Sequence, residues 1–153
     1  MAGHTIMLEQ SSTADVDRIW AVLTDLTSAP DVLSGVTRIE VLTPGPYAVG
    51  TTWRETRSMM GRTETQEMTV ETVEPPHRTV IVATASGVHY TTEFTVRAVG
   101  GGSVIRMEFT GEQADAGLAS KVAWALFGRL GAMITKRVMA ADLRDIAAAA
   151  EAT

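Results

Sequence analysis

Residues 51–73 read TTWRETRSMMGRTETQEMTVETV, and the alternation of their side chains decides the fold class. Two runs rich in Thr, Val, Met and Trp flank the MGR turn, a pattern that predicts a β-hairpin. With the two-residue period of a strand, one face of the first run carries Trp53, Glu55, Arg57 and Met59. The hairpin therefore combines an apolar face with one acidic and one basic side chain.

Further runs of the same kind extend this hairpin in both directions. Strands are predicted over residues 36–42, 51–60, 63–73, 78–85, 88–99 and 103–111. Most of the connections between them are short enough for hairpins, and strands joined in this way pair in antiparallel fashion. We therefore predict an antiparallel meander of six strands.

Helical patterns precede and follow the meander. After a first strand over residues 4–11, Ser12 and Asp15 resemble a capping box that opens a helix, and Pro30 begins a second, short helix. Residues 117–150 form one long helical pattern. Its apolar stripe consists of Phe127, Leu130, Ile134, Val138 and Ala141. The sheet is the large apolar surface available to this stripe, so we predict a single α+β domain over residues 1–153.

Strand parity indicates which side chains face the helix. The inward set is Trp53, Met59, Met68, Val70, Tyr90, Phe94, Val96, Ile105, Met107 and Phe109. Glu55 and Arg57 share the parity of Trp53 and should point inward with it. Because an unpaired buried charge costs several kcal/mol, the two must pair or be solvated. A bulge between Thr51 and Met60 would instead turn both outward, where they would be simply solvated.

Composition excludes several functional classes. Thirteen basic against eighteen acidic residues give a net charge of −5, which argues against a nucleic-acid partner. The absence of cysteine excludes thiol chemistry and Cys-based metal sites. His4, His77 and His89 are not spaced as metal ligands, and no phosphate-binding or dinucleotide-binding motif is present, so we expect no metal and no cofactor.

The two ends of the chain bear on its location. The start, MAGHTIMLEQ, lacks the basic and apolar regions of a signal peptide, so a cytoplasmic location is expected. Lys121 and Arg129 interrupt the apolar residues 118–134, which we interpret as a buried helix and not as an integral membrane segment.

Four local patterns resemble one superfamily. They are DRIWAVLTDLTSAPDVLSGV (17–36), VGTTWRE (49–55), EPPHR (74–78) and GGGSVIRMEF (100–109). Together with the order of elements, they resemble the START-like helix-grip superfamily in its SRPBCC branch, which includes polyketide cyclases, dehydrases and lipid-transport proteins. The resemblance covers essentially the whole chain. It implies a curved antiparallel sheet wrapped around the C-terminal helix, with a cavity for a hydrophobic or amphipathic small molecule.

The resemblance supports three functional hypotheses. The first is binding of a lipid or polyketide-like molecule, with a predicted ligand-binding set of Trp53, Glu55, Arg57, Met59, Met68, Tyr90, Phe94, Met107, Trp124 and Phe127. The second is an aromatase/cyclase or dehydrase with Glu55 as acid or base and Arg57 as its electrostatic partner. The third is a protein-interaction module whose cavity is filled by side chains. The sequence leaves all three open, as it does the oligomeric state.

Overall fold

The computed structural model describes residues 4–59, 61–85, 87–113 and 129–152. The strands are β1 (His4–Ser12), β2 (Val36–Val41), β3 (Thr52–Met59), β4 (Arg62–Glu74), β5 (Arg78–Ala85), β6 (Val88–Val99) and β7 (Gly102–Gln113). The helices are α1 (Val16–Leu23), α2 (Ala29–Val32) and α3 (Arg129–Glu151).

The seven strands form one antiparallel sheet in the order β1-β7-β6-β5-β4-β3-β2. Each of the strands β2 to β6 pairs with the next strand along the chain. Strand β1 pairs instead with β7. The predicted α+β helix-grip fold, a curved sheet with a long C-terminal helix, is confirmed.

The start of α1 differs from the prediction. Asp15 is the N-cap, and its carboxylate accepts a hydrogen bond from the Arg18 backbone N–H at 2.9 Å. The capping box predicted at Ser12 is wrong, because Ser12 is the last residue of β1 and pairs with Ser103. The Ser12 hydroxyl donates to Glu151 at the end of α3. Helix α2 does begin near Pro30, as predicted.

Helix α3 packs against β1, β7, α1 and α2. Its buried residues are Met139, Asp142, Leu143, Ile146, Ala147 and Ala150. None of them belongs to the predicted stripe, of which Phe127 and the side chain of Leu130 fall outside the described residues. The sheet contributes Phe94, Ile105 and Met107 to the same core. Among the described residues, the helix contacts β1, at one edge of the sheet, more than any other strand.

Within the described ranges, no helix is both long and apolar enough to cross a membrane.

Candidate ligand cavity

A cavity of about 480 Å³ lies between the sheet, α3 and the segment that contains α1 and α2. Its sheet wall includes Trp53, Met68, Ile81, Phe94, Met107 and Phe109, and its helix wall includes Ile134, Val138, Met139 and Ile146. Leu23, Leu26 and Leu33 line it from the α1–α2 segment. The apolar walls follow from strand parity, because every second residue of a strand faces the same side.

Seven of the predicted pocket residues line this cavity. They are Trp53, Glu55, Arg57, Met68, Tyr90, Phe94 and Met107. Trp124, Phe127 and the side chain of Met59 lie outside the described part of the chain. The pairing of β3 with β4 continues without a shift from Thr52 to Met59, so the bulge that would have turned Glu55 and Arg57 outward is absent there.

Arg57 joins the sheet to α3 through two carboxylates. Its Nε donates to Glu55 Oε2 at 2.7 Å, and its Nη1 and Nη2 donate to Asp142 Oδ1 and Oδ2 at 3.1 and 2.8 Å. The side chains of Glu55, Arg57 and Asp142 are 11%, 23% and 6% exposed, respectively. The fork-shaped pairing with Asp142 is the strong geometry for an arginine and a carboxylate. We call these three residues the charged cluster.

Burial acts on both partners of this ion pair. Burial alone would lower the pKa of the Arg57 guanidinium, but Asp142 and Glu55 outweigh it and raise that pKa above its ordinary value. Burial raises the pKa of the Asp142 carboxyl, and Arg57 opposes this shift. Arg57 is therefore a fixed positive charge.

Trp53 connects the charged cluster to the apolar wall. The indole is 2% exposed, and its Nε1 donates to Glu55 Oε1 at 3.3 Å. Tyr47, from the segment between β2 and β3, lies with its ring centroid 6.5 Å from that of Trp53. The Tyr47 hydroxyl is 2.7 Å from the Thr79 hydroxyl, and burial raises the pKa of Tyr47 to about 12.

The cavity has a polar end and an apolar end. Strand β4 places Gln66 opposite Glu55 and Glu64 opposite Arg57, and both Gln66 and Glu64 line the cavity. Farther along the same pair of strands, Met68 lies opposite Trp53. At the other side, Tyr90 and Phe109 stack with centroids 5.6 Å apart and an interplanar angle of 5°. The arrangement can therefore hold an apolar body and orient one polar group.

The family model described as polyketide cyclase / dehydrase and lipid transport matches residues 4–151. The chain belongs to this family. No curated protein matches it.

Several solved structures resemble this chain over nearly its whole length. The aromatase/cyclase Zhui from Streptomyces sp. R1128 has a TM-score of 0.80 and 19% identity, covering 98% of this chain and 94% of that one. A point mutant of norcoclaurine synthase from Thalictrum flavum has a TM-score of 0.75 and 20% identity, with coverages of 97% and 94%. The protein TTHA0849 from Thermus thermophilus has a TM-score of 0.77 and 17% identity, with coverages of 97% and 97%. At these identities the likeness shows the fold alone.

Sequence reasoning missed Asp142, the third member of the charged cluster. A signal for it exists: Asp142 follows Ile134 and Val138 at intervals of four residues, so it continues an apolar helix face with a carboxylate. An acidic residue on an apolar stripe needs a partner, and the inward-facing Arg57 was available. Tyr47 was also missed, because it lies in a turn-rich segment with no strand or helix period.

The three histidines lie away from the cavity. None of His4, His77 and His89 lines the cavity. His77 Nδ1 is 2.9 Å from the Val96 carbonyl oxygen. Over the ranges that the structure describes, no group of three or more His, Asp or Glu residues could hold a metal ion.

Proposed function

We propose that this polyketide cyclase / dehydrase and lipid-transport family member binds a hydrophobic or amphipathic small molecule in the cavity. The observation that carries the proposal is an apolar cavity of about 480 Å³ with a buried charged cluster at one end. Small-molecule sites commonly have volumes of roughly 300–1,000 Å³, mostly apolar walls and a few convergent polar groups. The cavity meets all three criteria.

The two ends of the cavity would make different contributions to binding. Apolar contact with Trp53, Met68, Phe94 and Met107 supplies affinity, at about 25 cal/mol per Å² before the costs of association. The charged cluster orients the ligand, because a polar group placed away from it would lose its hydrogen bonds in the apolar end. Lipid transport and the cytoplasmic location remain predictions.

Native mass spectrometry of the freshly purified protein tests the proposal. We expect a mass above that of the polypeptide, and solvent extraction should release a lipid or an aromatic compound at near-stoichiometric amounts. A Met68→Trp variant, in which an indole fills the cavity, should carry less of the compound. A protein that is ligand-free after challenge with fatty acids, alcohols and polyaromatic compounds would contradict the proposal.

An aromatase/cyclase or dehydrase is the second candidate. It is favoured by a buried carboxyl, Asp142, held beside a fixed positive charge in an apolar cavity. Such a carboxyl can exchange protons with a reactive polyketide-like chain. On this hypothesis, Glu55→Gln or Asp142→Asn abolishes turnover of a substrate that the wild-type protein converts, while its affinity changes little. Turnover by both variants at the wild-type rate would contradict the catalytic role.

The third hypothesis, an interaction module, depends on a cavity filled by side chains. The described residues leave an open cavity of about 480 Å³, and this favours a small-molecule ligand over a protein partner.

A further inference from the structure

The hydrogen-bond donors of Arg57 are largely occupied within the protein. Three of the five N–H groups of a guanidinium face carboxylates here, one from Nε to Glu55 and two from Nη1 and Nη2 to Asp142. On another side, a Cβ built on Gly35 would lie 3.3 Å from Nη1, so backbone is packed against this nitrogen. Arg57 is therefore poorly placed to receive an anionic group of a ligand.

The described residues that line the cavity carry an excess of negative charge. The ionisable side chains with formal charges at pH 7 are Asp25, Glu55, Arg57, Arg62, Glu64 and Asp142. Four carboxylates and two guanidinium groups leave a formal charge of −2. The charged cluster alone, with two carboxylates and one guanidinium, has a formal charge of −1. The polar end of the cavity is therefore negative, both at the buried charged cluster and at the exposed Glu64 opposite Arg57.

The carboxylates of Glu55 and Asp142 keep acceptor sites at this end, beside the amide of Gln66 and the two remaining N–H groups of Arg57. An ionised carboxylate offers about four lone-pair sites. Glu55 receives hydrogen bonds from Trp53 and Arg57, and Asp142 receives two from Arg57. Carboxylate acceptors in a weakly solvated cavity attract hydroxyl, phenol and ammonium donors and repel anions.

We propose that the cavity selects apolar molecules whose polar group donates hydrogen bonds and carries no negative charge, and that it discriminates against carboxylates such as fatty acids. This inference rests on the proposed function, since it names the class of ligand for the same cavity. The carboxylates of Glu55 and Asp142 receive the donor group, and Arg57 holds both carboxylates in position.

Three ligands with one apolar body test this selectivity. We would measure binding of 2-naphthylmethylamine, 2-naphthol and 2-naphthoate by isothermal titration calorimetry at pH 7.5 and physiological salt. The amine and the naphthol should bind at least about tenfold more tightly than the naphthoate, because one unit charge near a buried carboxylate changes affinity by this order. Equal affinities, or tighter binding of naphthoate, would overturn the inference and leave the proposed function intact. Absence of binding by all three would overturn both.

Matched variants locate the source of the selectivity. Glu55→Gln removes one negative charge from the cavity and should reduce the preference for amine over carboxylate about tenfold. Glu67→Gln removes the same charge from an exposed residue whose parity on β4 turns it away from the cavity, so it should leave the preference unchanged. Glu64→Gln, at the exposed end, provides a second test if Glu55→Gln does not fold, with a smaller change in the same direction. An equal effect of Glu67→Gln and the cavity variants would overturn the inference.

Discussion

Replacement of Arg57 by Ala should destabilise the fold strongly, because Arg57 neutralises two carboxylates that are nearly excluded from water. The substitution leaves Glu55 and Asp142 only 11% and 6% exposed and without their cation. Removal of one partner from a buried ion pair costs roughly 3–5 kcal/mol. Such a loss is a large part of the roughly 5–15 kcal/mol that stabilises a typical domain. It also removes the hydrogen bonds that join β3 to α3.

Equilibrium unfolding in urea, followed by far-ultraviolet circular dichroism, measures this change. Arg54→Ala is the matched control, because Arg54 lies on the same strand but its side chain is 50% exposed and pairs with Glu40, which is 46% exposed. An exposed pair of this kind is worth about 0–1 kcal/mol. We therefore expect the Arg57→Ala midpoint to fall far below the wild-type value and the Arg54→Ala midpoint to stay near it. In thermal unfolding the Arg57→Ala loss corresponds to about 6–20 °C.

Two comparisons between variants test whether the charged cluster is buried and strongly coupled. An Arg57→Ala protein within about 1 kcal/mol of Arg54→Ala would refute the claim that the charged cluster is buried and strongly coupled. Simultaneous replacement of Glu55, Arg57 and Asp142 by apolar residues of similar size should recover much of the lost stability, since it leaves no charge to bury. Recovery of stability with loss of ligand selectivity would show that the cluster is retained for binding.

Three further predictions concern packing, ionisation and the cavity. Gly102→Ala should destabilise the protein by about 1–3 kcal/mol in urea unfolding, because a Cβ there would overlap the backbone carbonyl oxygen of Ser12 at the end of β1. In a Tyr90→Phe variant, absorbance at 295 nm should show Tyr47 ionising near pH 12. Because folding raises the pKa of Tyr47, its contribution to stability persists below about pH 10 and is lost as the pH rises toward 12. Met68→Trp should weaken 2-naphthol binding about tenfold or more in calorimetry, with little loss of stability, because the indole enters open space.

Each of these predictions has a control. Gly101→Ala should be nearly neutral, because nothing lies within 4 Å of its added Cβ, and equal costs at both glycines would contradict the steric argument. A Tyr47 midpoint near pH 10 in the folded protein, equal to that in guanidinium chloride, would contradict its burial. Glu67→Trp, on the opposite face of β4, should leave naphthol affinity unchanged.

Strand parity predicted the sheet face that lines the cavity because one side of the sheet is apolar. Trp53 fixed the orientation of Glu55 and Arg57, and the unbroken pairing of β3 with β4 has the same parity. Strand parity did not indicate which face of β5, with the sequence RTVIVATA, points inward. There Thr79 and Val80 point to opposite faces and are both buried, at 0% and 5% exposure, so burial does not separate the two faces at this point of the strand.

Contacts between residues far apart in the chain could not be predicted from the sequence. The ion pair between Arg57 and Asp142 spans 85 residues. The helix period places Asp142 on an apolar face, but no local period indicates which strand residue it meets. The start of α1 was misplaced for a related reason. Ser12 and Asp15 both suit an N-cap, and the choice is made by the pairing of Ser12 with Ser103 across the sheet.

Methionine methyl groups provide the most direct test of the central claim, that a small molecule binds in the cavity. Met68, Met107 and Met139 line the cavity, whereas Met7 lies on β1 with 46% exposure and does not line it. We would label the methionine methyl groups with ¹³C, assign them by Met→Leu substitution and titrate the protein with 2-naphthol. Binding in the cavity should shift the signals of Met68, Met107 and Met139 and leave that of Met7 unchanged. Shifts confined to Met7, or no shift at millimolar naphthol, would contradict it.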